Sequence, residues 1–118
     1  MRGDRLTATT TSNGAGGPQV VQVGELEVDR ERYVASWGGR SLQLTYLQFQ
    51  VLFRIAKARG TVVRYEDLES EIWGEPSERS RRRLAVMVSR IRSKLGPGAG
   101  QLVTVHRVGY RIAGDDPP

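Results

Sequence analysis

Hydrophobic and polar residues alternate near both ends of the chain, which is the pattern of half-buried β-strands. Near the start, the alternating segments are residues 20–23, 26–28, 33–37 and 41–44. Near the end they are residues 102–106 and 110–112. Glycine or charged residues separate the segments, so each chain reversal has a suitable turn. The pattern predicts an N-terminal antiparallel sheet of three or four strands and a C-terminal β-hairpin with its turn at residues 107–109.

Between these strands the hydrophobic period becomes helical. Thr45 and Gln48 have the spacing of a capping box, and the helix that follows is predicted to continue until Gly60. A brief extended piece at 61–63 precedes a second helix over 65–73, which is acidic in its first turn. The third helix is predicted to begin at Ser77 or Ser80 and to run to Leu95. These elements make the chain an α+β protein.

The third helix has two contrasting faces. At about 100° per residue its inner stripe consists of Leu84, Val88, Ile91 and Leu95. The opposite face carries Arg82, Val86, Ser89 and Ser93, flanked by Arg83, Ala85 and Arg90. An ordinary solvent-exposed face would be expected to pair acidic with basic residues at i,i+4, and this face has no acid. Arginine for guanine or phosphate, small apolar groups for thymine methyls and serine for backbone oxygens suit the DNA major groove.

Positive charge is concentrated in the last third of the chain. The 118 residues include 18 Lys and Arg against 13 Asp and Glu, which leaves a net charge of +5. Residues 79–114 contain nine basic residues and no acidic one, whereas residues 1–78 contain nine basic and eleven acidic residues. This asymmetry is typical of a protein that binds a polyanion. Nucleic acid is favoured over an anionic membrane surface.

The residue inventory argues against catalysis and metal binding. The chain has no cysteine and one histidine, so neither a thiolate site nor a histidine cluster can be assembled. Phosphate-binding glycine motifs and a nucleophile elbow are missing. We therefore predict no enzyme activity, no cofactor and no metal. No apolar stretch approaches the ~18–20 residues of a membrane span, and we expect a soluble, cytoplasmic domain.

Five blocks of sequence resemble the OmpR/PhoB-type DNA-binding domain, the C-terminal effector half of many bacterial response regulators. They read LTxxQFxVLxxI at 44–55, GxVV at 60–63, LxxxIWG at 68–74, VxRIRxKL at 88–95 and TVxxVGYR at 104–111. The blocks occur in order at compatible spacings, and the resemblance covers residues 19–112. It implies a winged helix-turn-helix with an N-terminal antiparallel sheet, three helices and a C-terminal hairpin wing. The recognition helix, at about 80–95, would enter the major groove, and the wing, at about 102–112, the minor groove.

The resemblance also implies which residues meet DNA. The candidate DNA-binding residues are Trp73, Arg81, Arg82, Arg83, Val86, Ser89, Arg90, Arg92, Ser93, Thr104, His106, Arg107 and Arg111. The segment that matches the polymerase-contacting loop of several family members consists of Gly74, Glu75, Pro76, Ser77 and Glu78. In the wing, His106-Arg107 stands where the family usually has Arg-Gly, so the cation is shifted by one residue.

Some of these residues have alternative roles in packing. Trp73 is as well suited to packing at the edge of the core as to a phosphate contact. Arg92 lies near the core stripe, where an ion pair with the acidic second helix competes with a DNA contact. Tyr110 is assigned to packing in the hairpin rather than to base stacking. Tyr33, Trp37 and Phe49 are assigned to the core.

We therefore expect a linker or disordered tail at 1–18, a winged-helix domain at 19–113 and a frayed tail at 114–118. The predicted function is sequence-specific binding of double-stranded DNA in transcription regulation, as the effector of a two-component phosphorelay. The expected partners are double-stranded DNA with direct repeats and RNA polymerase. We expect the domain to be a monomer when free and a tandem dimer on DNA. A receiver domain and a sensor kinase are expected if the chain is an effector half, the other possibility being a stand-alone regulator. The alternative function is a protein-interaction module that docks an acidic partner on its basic face.

Overall fold

The predicted order of sheet, helices and hairpin is confirmed over residues 19–114, the part of the chain that this computed structural model describes. The strands are β1 Val20–Val23, β2 Leu26–Asp29, β3 Val34–Trp37, β4 Arg40–Ser41, β5 Val63–Arg64, β6 Leu102–Val105 and β7 Gly109–Ile112. The helices are α1 Tyr46–Ala56, α2 Tyr65–Trp73 and α3 Glu78–Leu95, and a 3-10 helix spans Gly96–Gln101. The expected tails at 1–18 and 115–118 lie outside the described residues.

The N-terminal sheet is antiparallel with strand order β1-β2-β3-β4. Its register aligns Val21 with Val28 and Val28 with Ala35, and all three are buried on the face that meets the helices. Alternation therefore sets which face is buried, as predicted. The fourth strand was predicted over 41–44, but β4 contains only two residues, since the chain leaves the sheet after Ser41 toward α1.

Both predicted helix caps are confirmed by backbone hydrogen bonds. The Gln48 N–H donates to Thr45 Oγ1 at 3.2 Å, and the Thr45 N–H donates to Gln48 Oε1 at 3.0 Å, which completes the capping box. At the start of α3, Ser77 rather than Ser80 is the cap, because its Oγ accepts from the Ser80 N–H at 2.9 Å. The α1 helix ends at Ala56, earlier than Gly60, and turns connect it to β5.

The C-terminal hairpin belongs to a three-stranded sheet with order β5-β7-β6. Its turn lies at residues 106–108 rather than 107–109, and the Val108 N–H donates to the Val105 carbonyl at 2.9 Å. The β5 strand packs so closely on β7 that a Cβ added at Gly109 would lie 2.0 Å from the Val63 carbonyl oxygen. A side chain at this position would displace the hairpin from the helices.

Polar side chains join the N-terminal sheet to the 3-10 helix and to the end of α3. Trp37 Nε1 donates to Gln101 Oε1 at 2.8 Å, and the Gln101 Nε2 donates to the Val23 carbonyl at 2.6 Å. Arg40 Nη2 donates to the Leu95 carbonyl at 3.1 Å and so caps the last turn of α3.

Of the three aromatic residues assigned to the core, Phe49 is buried and Trp37 is partly buried. The assignment of Tyr33 was wrong: it is half-exposed in the β2–β3 turn with a φ of 54°. Within residues 19–114, no helix combines the length and hydropathy needed to cross a bilayer.

Candidate nucleic-acid interface

The outer face of α3, the predicted recognition helix, carries three exposed arginines, Arg82, Arg83 and Arg90. The inner stripe of Leu84, Val88, Ile91 and Leu95 is buried against the core, as predicted. The side chains on the opposite side are exposed: Arg82, Arg83, Val86, Ser89, Arg90 and Ser93. Val86 retains 49% of its surface although it is a large apolar residue. A rigid helix with a deeply packed inner stripe therefore presents this face to solvent.

A groove of about 900 Å³ lies between this face and the first turn of α1. We call it the α1–α3 groove. Its α1 side is formed by Thr45, Tyr46, Leu47 and Gln48, and its α3 side by Arg79, Arg82, Arg83, Val86, Met87 and Arg90. Trp73 completes the lining and is partly buried, with the Arg83 guanidinium 5.9 Å from its ring centroid. Trp73 thus packs at the edge of the core and also borders the groove.

Arg81 points to α2 rather than to the same side as Arg82. Its Nε donates to Oε2 of Glu69, its Nη2 lies 3.8 Å from Glu66 Oε2, and its guanidinium stacks 4.3 Å from the Tyr65 ring centroid. Glu69 is 0% exposed, and its second oxygen, Oε1, has no hydrogen-bond partner among the described residues. The hydrogen bond that Arg81 donates to Glu69 is the main cause that raises the pKa of Arg81 above its ordinary value. Arg81 therefore holds α3 against α2.

Arg92 and Thr104 were both predicted to face DNA, and their side chains are hydrogen-bonded to each other. The Arg92 Nε donates to the Leu102 carbonyl at 2.9 Å, and its Nη2 donates to Thr104 Oγ1 at 2.8 Å. The alternative ion pair of Arg92 with α2 is not the one that forms; Arg81 makes that pair. Arg92 instead joins α3 to β6, so that the wing and the recognition face keep a fixed relative position.

The wing has one unusual backbone conformation at its tip. His106 and Arg107 are exposed in the turn, and Arg107 has a φ of 70°. Glycine adopts this left-handed conformation without strain, whereas other residues pay about 1–2 kcal/mol. Arg111 is partly buried on β7, where its Nε donates to the Gly60 carbonyl at 2.9 Å.

Tyr110 packs beneath the wing. It is buried with its ring edge-on to Tyr65, the two centroids being 5.3 Å apart. Burial is the main cause that raises the pKa of the Tyr110 hydroxyl above its ordinary value of 10.0. The burial of Tyr110 therefore supports the prediction that it packs in the hairpin rather than stacking on bases.

The segment matched to a polymerase-contacting loop is short and tightly turned. Gly74 ends α2 with a φ of 92°, and Glu75, Pro76 and Ser77 form the connection to α3. Glu78 is already the first residue of α3. The Ser80 hydroxyl donates to the Glu75 carbonyl at 3.3 Å, which ties the loop to the helix it precedes. Glu75, Pro76 and Ser77 are exposed.

Six residues that line the α1–α3 groove were not among the DNA-binding candidates from the sequence: Tyr46, Leu47, Arg79, Thr45, Gln48 and Met87. The sequence did contain a signal for Tyr46 and Leu47. The buried residues of α1 begin at Gln48, whereas Tyr46 and Leu47 are large apolar residues directly before it. Arg79 opens the basic third of the chain and lies one helical turn before Arg82 and Arg83.

If the wing contacts phosphates, removing the charge of Arg107 is expected to lower the affinity for the operator and the affinity for random DNA by similar factors. The slope of log affinity against log salt should decrease in magnitude by about 0.9 for each lost phosphate contact. Arg107→Gly should in addition raise the free energy of unfolding by about 1 kcal/mol, because the left-handed strain is relieved. Arg107→Ala should lower affinity equally without that gain in stability.

Arg59→Gly is the matched control for this prediction. Arg59 also has a positive φ, 47°, and it is exposed, but its Nη1 donates to Gln22 in the N-terminal sheet. The control should leave the salt slope unchanged. Equal slopes for wild type and Arg107→Ala would show that the wing tip does not neutralise a phosphate.

The fold and this face together define a winged helix-turn-helix. The family described as "Transcriptional regulatory protein, C terminal" matches residues 39–112. RpaA, described as a DNA-binding dual master transcriptional regulator of Synechocystis sp., is 30% identical over 95 residues, which are 78% of this chain and 39% of RpaA. The sensory transduction protein RegX3 of Mycolicibacterium smegmatis is 31% identical over 98 residues, 80% of this chain and 43% of RegX3.

Two solved structures agree with this assignment. The DNA-binding domain of RstA from Klebsiella pneumoniae, solved in complex with the RstA box, superposes with a TM-score of 0.72 at 25% identity, covering 81% of this chain and 98% of that one. The DNA-binding domain of CpxR from E. coli gives a TM-score of 0.68 at 28% identity, with coverages of 79% and 94%. The chain belongs to the family of OmpR/PhoB-type C-terminal DNA-binding domains of transcription regulators. It spans about two fifths of the length of the curated relatives it matches.

Proposed function

We propose that α3 lies in the major groove of its operator and reads base sequence with the face centred on Val86. The observation that carries this proposal is the composition of that face: from Arg79 onward α3 has no acid, and Val86 and Ser89 are exposed between Arg82 and Arg90. Arginine can form bidentate bonds to guanine, and a small apolar side chain fits a thymine methyl. A surface that only attracted anions would have no need of an exposed valine at its centre.

Phosphate contacts would fix the register of α3 on the duplex. Arg83 and Trp73 border the groove, and His106 and Arg107 are exposed at the tip of the wing. Such contacts carry affinity and position the protein but give no sequence information. The bonds that Arg81 makes to α2 and Arg92 makes to β6 would hold the reading helix rigidly between these two supports.

In the longer protein that the relatives indicate, this domain would act as the cytoplasmic effector of a response regulator. A receiver domain phosphorylated by a sensor kinase would control its assembly on DNA. Two copies would bind direct repeats head to tail, with the free domain monomeric. The exposed loop from Gly74 to Ser77, with Glu78, would be the surface available to RNA polymerase.

A gel-shift titration with a two-site probe tests this function. We expect a complex that survives excess random competitor, with half-sites about 10–10.5 bp apart, one helical turn. Moving one half-site by ~5 bp places the second copy on the opposite face of the duplex and should abolish the two-copy complex. No specific complex at any salt concentration would favour the alternative, a module that docks an acidic protein.

A further inference from the structure

The first turn of α1 carries two exposed large hydrophobic residues that have no role in the proposed recognition of bases by α3. Tyr46 is 62% exposed and Leu47 39% exposed. Both line the α1–α3 groove, directly across from Arg82, Arg83 and Val86. The core is complete without them, because the buried residues of α1 begin at Gln48. Their exposure beside the reading face indicates a surface that becomes covered when the protein binds its target.

The charge of the groove selects among the molecules that could cover it. Four of its lining residues are arginines, Arg79, Arg82, Arg83 and Arg90, and among the described residues none of the lining is acidic. A polyanion is complementary to this wall, whereas a helix or strand of a protein would have to be strongly acidic. The groove is also continuous with the face centred on Val86, so a duplex that reached Val86 would pass along it.

We propose that the α1–α3 groove holds one sugar–phosphate strand of the DNA duplex and that Tyr46 is a backbone contact. The proposal rests on the proposed function of α3. The Tyr46 hydroxyl would donate to a phosphate oxygen, and its ring would lie against deoxyribose, while Arg79 and Arg83 would pair with neighbouring phosphates. Contacts of this kind add affinity to every duplex alike and leave the recognised sequence unchanged.

Replacing Tyr46 with glutamate tests the proposal, because it places a negative charge where the phosphate would lie. Tyr46 is the first residue of α1, where a carboxylate is favourable to the helix, so folding should be preserved. We expect affinity for the operator and for random duplex to fall together by roughly tenfold or more, because the variant loses the hydrogen bond of the hydroxyl and also places a repelling charge beside the phosphate. Tyr46→Phe should lose roughly threefold, since only the hydroxyl is removed.

Tyr33→Glu is the matched control. Tyr33 is 50% exposed, and its ring centroid lies 6.0 Å from that of Tyr46, but it is not part of the groove lining. It introduces the same charge at nearly the same place, so general repulsion of DNA is common to both variants. We expect less than threefold loss for this control. Far-UV circular dichroism and thermal unfolding verify that both variants are folded.

The outcomes separate the proposal from the function on which it rests. Equal losses for Tyr46→Glu and Tyr33→Glu would overturn the proposal and leave the groove as a surface for another partner. A loss confined to the operator, with random duplex bound normally, would also overturn it, because a backbone contact cannot distinguish sequences. A wild-type protein that forms no specific complex would instead remove the proposed function, and the proposal with it.

Discussion

Arg81→Leu is expected to lower the free energy of unfolding by about 3 kcal/mol, the lower end of the range for breaking a buried ion pair. The substitution leaves the fully buried Glu69 carboxylate without its main donor, and its other oxygen already has no partner among the described residues. Water cannot replace the lost bond at a site with no solvent exposure. The lower end applies because the Arg81 side chain is itself 43% exposed.

Replacing Glu69, the partner of Arg81, should lower the free energy of unfolding much less. Glu69→Leu frees a guanidinium that is partly exposed and can turn toward water, so we expect about 1 kcal/mol or less. The double variant, Glu69→Leu with Arg81→Leu, should recover at least about 2 kcal/mol relative to Arg81→Leu, because no buried charge remains. Urea unfolding of the four proteins measures all three differences. Equal and small costs for the two single variants would show that Glu69 is not buried as described.

This pair illustrates what the hydrophobic period of a helix contains and what it leaves out. Tyr65, Leu68, Glu69 and Ile72 follow the i, i+3, i+4, i+7 spacing of one helix face, so the period alone placed Glu69 inward. Arg81 precedes Leu84 by three residues and Val88 by seven, which places it beside the buried stripe of α3. A charged residue is usually exposed, but in this pair the helical period agrees better with the burial that the structure shows, since Glu69 is 0% exposed and the Arg81 side chain is 43% exposed. Only the structure identifies the two residues as partners, because they lie on different helices.

Local signals placed the elements well, and non-local pairing was the part that they could not supply. The bounds of α2 and the C-terminal end of α3 were predicted correctly because both helices are followed by glycine. The local pattern predicted an extended piece at 61–63, close to β5 at Val63–Arg64, but it could not predict that this strand pairs with β7, for example Val63 with Tyr110. The same holds for the α1–α3 groove, whose two walls are separated by more than 30 residues.

The second large effect is expected at the centre of the reading face. Val86→Asp should reduce affinity for the operator by about 100-fold or more, since it removes the match to a base pair, whose loss typically costs ~1–3 kcal/mol, and adds a charge that repels DNA. Stability should change by no more than about 0.5 kcal/mol, because Val86 is 49% exposed on α3. Competition gel shifts with operator and random duplex measure the loss.

Val34→Asp is the control for this substitution. Val34 is 46% exposed, close to the value for Val86, but it lies on β3 of the N-terminal sheet. The same change in charge and size there should lower affinity by less than threefold, through general repulsion alone. Similar losses at the two valines would mean that Val86 acts through net charge and not through a contact with bases.

Selection of bound sequences from random duplexes, with wild type and Val86→Ala in parallel, tests most directly whether α3 reads bases. A trimmed side chain at a base contact should relax the preference at one base position and leave the rest of the motif intact. The account predicts that result, with Val86→Ala still folded and still binding DNA. An identical motif for the two proteins, selected with equal affinity, would contradict the claim that the face centred on Val86 recognises the operator.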